Sequence, residues 1–177
     1  HPIKKSYFDG EQLIAVDLPG AYSMSPFTSE ESITSSYVKN ENPDVIINIV
    51  DATNLSRSLF FTTQLLELGI PMVIALNKSD INEKKQTRID SAKLSQLLFC
   101  PVYDTAAATG EGLKQLMNAA VERAGETQKA PYIQEGDLSD QEAAQAADRS
   151  RFAFVADIVS QVETRKNILG QTAVVIS

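Results

Sequence analysis

Pro71-Met72-Val73-Ile74-Ala75-Leu76-Asn77-Lys78-Ser79-Asp80 sets an unbroken apolar run directly against a polar, charged one. Apolar residues without alternation predict a short strand buried on both faces, as in the parallel sheets of α/β proteins. The polar residues then fall at the strand's carboxyl end, where open α/β sheets bind their ligands. This stretch therefore bears on the fold and on a site at once.

Working upstream, Asp44-Val45-Ile46-Ile47-Asn48-Ile49-Val50 is β-branched and apolar and predicts another buried strand. Asn54 is placed to cap a helix whose Leu55, Leu59, Leu65 and Leu68 recur at near-helical spacing and which ends at Gly69. Further back, residues 3–17 read as two strands joined at Asp9-Gly10, a dipeptide suited to a tight hairpin. The second of these, Leu13-Ile14-Ala15-Val16, is apolar throughout and predicts burial on both faces. Thr28 with Glu31 has the spacing of a capping box at a helix start.

Downstream, 89–99 predicts a helix, 101–103 a strand, and 112–124 a helix closing at Gly125. Strands and helices alternate through residue 125, the pattern of an open, mostly parallel sheet with helices on both faces. From Glu126 the texture changes. Residues 126–141 read as a polar linker, and 142–165 as an Ala-rich helix with Phe152, Val155, Ile158, Val159 and Val162 in an apolar stripe. Packing against the domain or another helix is the ordinary use of such a stripe.

Hydrophobic residues make up 43% of the 177, enough for a real core, and charged residues 22%. The net charge of −7 argues against a nucleic-acid surface, which needs clustered Lys and Arg. No apolar run approaches the roughly 18–20 residues that span a bilayer, and no signal-peptide pattern is present. The single cysteine, Cys100, cannot form an internal disulfide and suits a cytosolic setting, and the single histidine is His1. A histidine-based metal or catalytic site is thereby disfavoured.

Three loops at strand ends carry chemistry. Asp17-Leu18-Pro19-Gly20 follows an apolar strand. An acidic residue there can hold Mg²⁺ through water, and a glycine three residues on lets a backbone N–H approach a terminal phosphate. Asn77-Lys78-Ser79-Asp80 comes 60 residues after Asp17. The Asp80 carboxylate could accept from both N1–H and the N2 amino group of guanine, a donor pair that adenine lacks. Leaving such a group unpaired discriminates by roughly 10⁴-fold or more. Asn77 would brace neighbouring loops and the Lys78 stem would pack over the ring plane. Thr105-Ala106 follows the next strand, and a small residue there would let a backbone N–H reach guanine O6.

D-x-x-G, N-K-x-D and the small-residue loop together resemble the motifs of the Ras-like GTPase superfamily. The wider text is similar to a narrower family, ferrous iron transport protein B, in Asp17-Leu18-Pro19-Gly20-Ala21-Tyr22-Ser23-Met24-Ser25-Pro26, in 43–55 and in 62–71. The likeness covers about residues 5–125 and thins over 126–165. It implies a Ras-like α/β fold, with 1–125 as the GTPase domain and 126–177 as linker and remnant of a helical domain. It also implies GTP and GDP as ligands with Mg²⁺ as cofactor, hydrolysis at the γ-phosphate, and a polytopic membrane domain as partner at the cytoplasmic face of a bacterial membrane. In that pattern Asp17 serves the metal, Gly20 the γ-phosphate, Leu18 and Pro19 the second switch, and Asn77, Lys78, Asp80, Thr105 and Ala106 the base. Nucleic acid is not an expected partner, and self-association stays open.

No G-x-x-x-x-G-K-[ST] occurs among the 177 residues. That loop supplies the amides and lysine that cradle phosphates, so these residues by themselves are expected to bind GTP weakly and hydrolyse it negligibly. In the Ras-like fold the strand before that loop lies mid-sheet. Unpaired flanking strands cost about 1–3 kcal/mol per buried group, so something should fill the gap. The tail Thr172-Ala173-Val174-Val175-Ile176-Ser177, a partner chain and upstream residues are the candidates. Ala21 stands where several GTPases have a water-orienting glutamine, which predicts slow hydrolysis. Two other readings remain: a nucleotide-independent interaction module docking through its helical part, and an RNA- or ribosome-associated GTPase, which the acidic balance disfavours.

Overall fold

Two antiparallel strands open the chain in the computed structural model, which describes residues 3–8, 11–16, 40, 43–84, 86–106, 109–132 and 141–165. They are β1 (Ile3–Phe8) and β2 (Glu11–Val16), paired antiparallel with Phe8 in register with Glu11, and Asp9-Gly10 lies outside the described residues. The side chains of this hairpin, the helix start at Thr28 and the tail 172–177 lie outside what is described.

A three-stranded parallel sheet follows, ordered β3 (Ile46–Asp51), β4 (Met72–Asn77), β6 (Val102–Thr105). Its crossovers are helical. After β3 comes a 3₁₀ turn at Ala52–Asn54, then α1 (Leu55–Leu66), which gives way to Gly69 at φ 76°. After β4 come α2 (Ser79–Lys84), the short strand β5 (Thr87–Ile89) and α3 (Ser91–Leu98). After β6 comes α4 (Leu113–Arg123), then a strap to α5 (Gln141–Val162) and β7 (Glu163–Arg165), which pairs antiparallel with β5.

Burial explains the layering. Every residue of 72–76 is buried, as the continuous apolar run requires. On one face Val50, Ile74 and Leu76 meet Leu59 and Leu66 of α1, Leu94 and Leu98 of α3, and Val155, Ile158 and Val162 of α5. Each fully buried leucine contributes on the order of 1.5–3 kcal/mol. On the other face Val73 and Ala75 meet Leu116, Ala119 and Ala120 of α4. The result is a Ras-like α/β sheet with helices on both sides and a C-terminal helix sharing its larger core.

Several local expectations shift. β3 is covered on one face only: Asn48 and Val50 are buried, whereas Ile49 is 68% exposed, because α4 covers β4 and does not extend over Ile47 and Ile49. The outer edge of β3 pairs with no strand among the described residues. Asn54 makes no capping bond. Asp51 takes that part instead, accepting from Thr53 N at 2.9 Å and so starting the 3₁₀ turn ahead of the helix. Helix α3 starts two residues late because Asp90 caps it through Lys93 N, leaving Ile89 in β5. The linker is pinned where it is described: Gln128 is buried, donating to Phe99 O at 2.9 Å and accepting from Arg123 at 2.6 Å.

The apolar stripe on α5 is spent largely on this chain's own core. Phe152, though half-exposed, stacks on Phe60 with centroids 4.2 Å apart. Beside it Arg151 Nε and Nη2 both donate to the Glu67 carboxylate at 2.8 Å, and Nη1 donates to Asp148 at 2.7 Å. The Tyr132 hydroxyl lies 2.8 Å from Glu67 Oε2 and 3.0 Å from Thr63 O. This set latches α5 and the strap to the end of α1.

Candidate functional site

The parallel register sets Asp51, Asn77 and Thr105 side by side at the carboxyl edge of β3, β4 and β6. Sequence position placed Asn77 and Thr105 after strands, and the ladder puts them on one level with Asp51. The chain then turns sharply: Lys78 has φ 65°, in the left-handed region, so that α2 can begin directly at Ser79. A non-glycine residue held at positive φ is uncommon and needs support from its surroundings.

That support comes from both sides. Lys78 Nζ donates to Asp51 Oδ2 at 3.1 Å, and Ser79 Oγ donates to Asp104 Oδ1 at 2.9 Å. Behind the loop Asn82 Nδ2 donates to Ala52 O at 2.6 Å, tying α2 to the end of β3. Burial alone would raise the Asp51 carboxyl, but hydrogen bonds from Thr53 and Lys78 outweigh it and hold it below the ordinary aspartate value.

A cavity of about 390 Å³ opens beside this loop, within the rough 300–1,000 Å³ range of small-molecule sites. Asp80, Thr105 and Ala106 all line it, with Ser79, Asn82 and Asp104. Thr87, Arg88 and Ile89 of β5 close one side and Glu111 another. Asn77 and Lys78 are not in its wall. Asn77 lies in the strand level and Lys78 leans toward β3. Asp17, Leu18, Pro19 and Gly20 lie outside the described residues.

The loop after β6 is tightly shaped. Ala106 N donates to Glu111 O at 3.2 Å, and Gly110 N donates to Ala106 O at 2.8 Å. Gly112, at φ 75°, sits so close to β6 that a Cβ there would lie 2.1 Å from Asp104 O. Only glycine fits such an approach. The Ala106 amide expected to face a base is thus engaged within its own loop.

Sequence reading picked out Asp80, Thr105 and Ala106 for this cavity but assigned no part to Asp51, Ser79, Asp104 or Arg88. Strand register would have signalled the first three, because Asp51 and Asp104 flank Asn77-Lys78-Ser79 on adjacent strands. Arg88 carried no signal, since β5 is recognisable only through its pairing with β7. No group of three Asp, Glu, His or Cys side chains able to hold a metal gathers among the described residues, and Asp17, the residue expected to serve Mg²⁺, lies outside them.

A parallel sheet carrying polar loops at its carboxyl edge, flanked by helices, is the fold of the Ras-like GTPases. The model of the ferrous iron transport protein B family matches residues 3–120, and the chain belongs to that family. It is 47% identical over 109 residues to the Fe(2+) transporter FeoB of Salmonella typhimurium, covering 59% of this chain and 14% of that protein. The chain therefore matches only a small part of the transporters it resembles. The cytosolic domain of Legionella pneumophila FeoB superposes with a TM-score of 0.79 at 26% identity, covering 92% of this chain and 84% of that one. A GDP-bound NFeoB E67A mutant from S. thermophilus gives 0.74 at 25% identity, covering 93% and 91%. Among the described residues no helix is long and apolar enough to cross a membrane.

Proposed function

We propose that this domain binds guanine nucleotide in the cavity beside Asp80 and acts as the GTP-hydrolysing regulatory part of a bacterial ferrous iron transporter. The observation that carries the reading is the convergence of Asp80, Thr105 and Ala106 on one cavity at the carboxyl ends of β4 and β6. The relative bound to GDP supports the choice of ligand.

In this reading Asp80 accepts from the N1–H and N2 amino group of guanine. Asn77 braces the loop level between Asp51 and Thr105, and Lys78, which stands outside the cavity wall, would reach the ring only with its stem while its ammonium stays on Asp51. Ala106 N–H reaches O6 only after releasing Glu111 O, so base binding and the loop after β6 are linked. Asp17 would hold Mg²⁺ through water, and Gly20 would face the γ-phosphate within the Asp17-Leu18-Pro19-Gly20 segment. The reaction is in-line attack of water on that phosphate, releasing GDP and phosphate. The 177 residues alone, without a G-x-x-x-x-G-K-[ST] segment, bind GTP weakly and turn it over negligibly. The membrane domain of a transporter would be the partner, with this domain on its cytoplasmic side.

Exchanging the Asp80 carboxylate for a carboxamide tests the base assignment. Xanthine carries an oxygen where guanine carries the N2 amino group, so Asp80→Asn should weaken GDP and favour XDP. In ¹⁵N-resolved NMR titrations at millimolar ligand, the wild type should prefer GDP by at least tenfold and the variant should reverse that order. An unchanged order, or no GDP-dependent shift near Asp80, refutes the reading.

A further inference from the structure

The loop that would read guanine is held from both flanks by carboxylates with no assigned part in binding. We propose that Asp51, on β3, and Asp104, on β6, are positioning residues that fix Lys78 and Ser79 and thereby present Asp80 to the base. The inference rests on the guanine-binding reading above and deepens it.

The geometry is specific. Lys78 is exposed and sits at φ 65°, a conformation a long side chain does not favour by itself. Its ammonium is anchored at 3.1 Å by Asp51, and that carboxylate is itself oriented by Thr53, through N at 2.9 Å and Oγ1 at 2.6 Å. The Asp51 amide in turn donates to Ser58 Oγ at 3.1 Å, fastening the strand end to α1. On the opposite side Asp104 accepts from Ser79 Oγ at 2.9 Å, one residue before Asp80. Asp104 also keeps its carbonyl against Gly112, so its own backbone is fixed. The turn is therefore strung between two anchored carboxylates on the two strands that flank β4. Asp80, which makes neither contact, is left at the cavity wall, free to meet a ligand. Holding a binding group in place before the ligand arrives raises affinity by reducing the ordering cost of binding.

A double-mutant cycle on the 177-residue chain separates positioning from mere scaffolding. Asp51→Asn keeps an acceptor for Thr53 and removes the charge that Lys78 meets. Lys78→Met keeps most of the stem and removes the ammonium. Each should weaken GDP binding, read by NMR titration, by about two- to fivefold, the range expected of a partly exposed ion pair. The double variant should be no weaker than Lys78→Met alone, because one interaction is lost only once. If Asp51 served only to cap the turn at Thr53, its effect would not depend on residue 78 and the two losses would multiply.

Asp104→Ala and Ser79→Ala form the second cycle, with the same expectation of non-additivity. Amide spectra of the unliganded variants should show native dispersion with shifts confined to residues 77–82 and 104–106. Multiplying losses in both cycles overturn the proposal while leaving guanine binding intact. A wild type that shows no response to GDP instead removes the reading on which the proposal rests, and the proposal with it. Should Asp51→Asn unfold, Lys78→Met and the Asp104 cycle decide the matter from the other side.

Discussion

Among the ion pairs of the described residues, two join distant elements at similar length in opposite settings. At the carboxyl edge of the sheet Lys78 meets Asp51 at 3.1 Å, with side chains 48% and 35% exposed. At the end of α1 Arg151 meets Glu67 at 2.8 Å, with side chains 7% and 14% exposed. Water screens the first pair, so it orders a loop at little cost and releases it at little cost. The second has surrendered its hydration, and each partner depends on the other. The edge pair is lightly held, and the latch is built to stay.

The largest expected effect comes from breaking the latch. Arg151→Met should cost about 3–5 kcal/mol, because Glu67 stays buried without its cation, and Glu67→Ala should cost less, because Arg151 keeps Asp148. Glu67 would still face Tyr132, which cannot neutralise it. Replacing both with Met should recover most of that loss, since two charges no longer need to be desolvated. Urea midpoints of the three variants decide it. Single variants within about 1 kcal/mol of wild type would mean the latch is no stronger than the edge.

Next in size is a backbone effect that falls on the other region. Gly112→Ala must push its new Cβ away from Asp104 O, 2.1 Å distant, while keeping φ at 75°. Strained backbone of this kind costs on the order of 1–3 kcal/mol, and relief would displace the loop holding Thr105 and Ala106. Gly69, at φ 76° beside the strap, has nothing closer than 4.0 Å to a Cβ. Its replacement by alanine should cost only the roughly 1–2 kcal/mol of the left-handed conformation. Gly112→Ala should also weaken GDP binding, which Gly69→Ala should leave alone. Equal effects of the two on stability and binding would show that the edge loop is not held by this contact.

How much of this was legible in the sequence follows the same division. β4 and the helix carrying Leu55, Leu59 and Leu65 could be read because local pattern and burial agree there, and the hairpin pairing because two β-prone runs flank Asp9-Gly10. The loops at 77–80 and 105–106 could be placed at strand ends because they follow apolar strands, whereas 17–20 lies outside the described residues. The Arg151–Glu67 pair could not be read, since it joins residues 84 apart that no local pattern connects. β5 and β7 escaped for the same reason: three-residue strands exist only through each other. β3 looked wholly buried because its residues are apolar, yet composition does not say which neighbours arrive to cover Ile49. Asp51 showed the reverse case, a polar strand-end residue whose bonds to Thr53 and Lys78 needed coordinates.

The effects smallest near neutral pH distinguish the regions as pH moves away from it. Burial pushes the Cys100 thiol from 9.0 up to about 12, against a lesser opposing pull from Arg123. Burial and the neighbouring Glu67 likewise raise the Tyr132 phenol. Both groups stay protonated in the fold where the unfolded chain ionises, so stability present below pH 9 is lost as pH rises. The loss from Cys100 should approach about 1.4 kcal/mol per pH unit between pH 9 and 12, with Tyr132 adding its own above pH 10. The edge responds at the other extreme. Asp51 is held below its ordinary value, so what it contributes is present above pH 3.8 and fades as pH falls through its folded value. Chemical denaturation across pH should therefore show an alkaline limb flattened by Cys100→Ala and Tyr132→Phe but not by Asp51→Asn. An alkaline limb that survives both substitutions would locate the loss elsewhere and leave burial at the latch without this consequence.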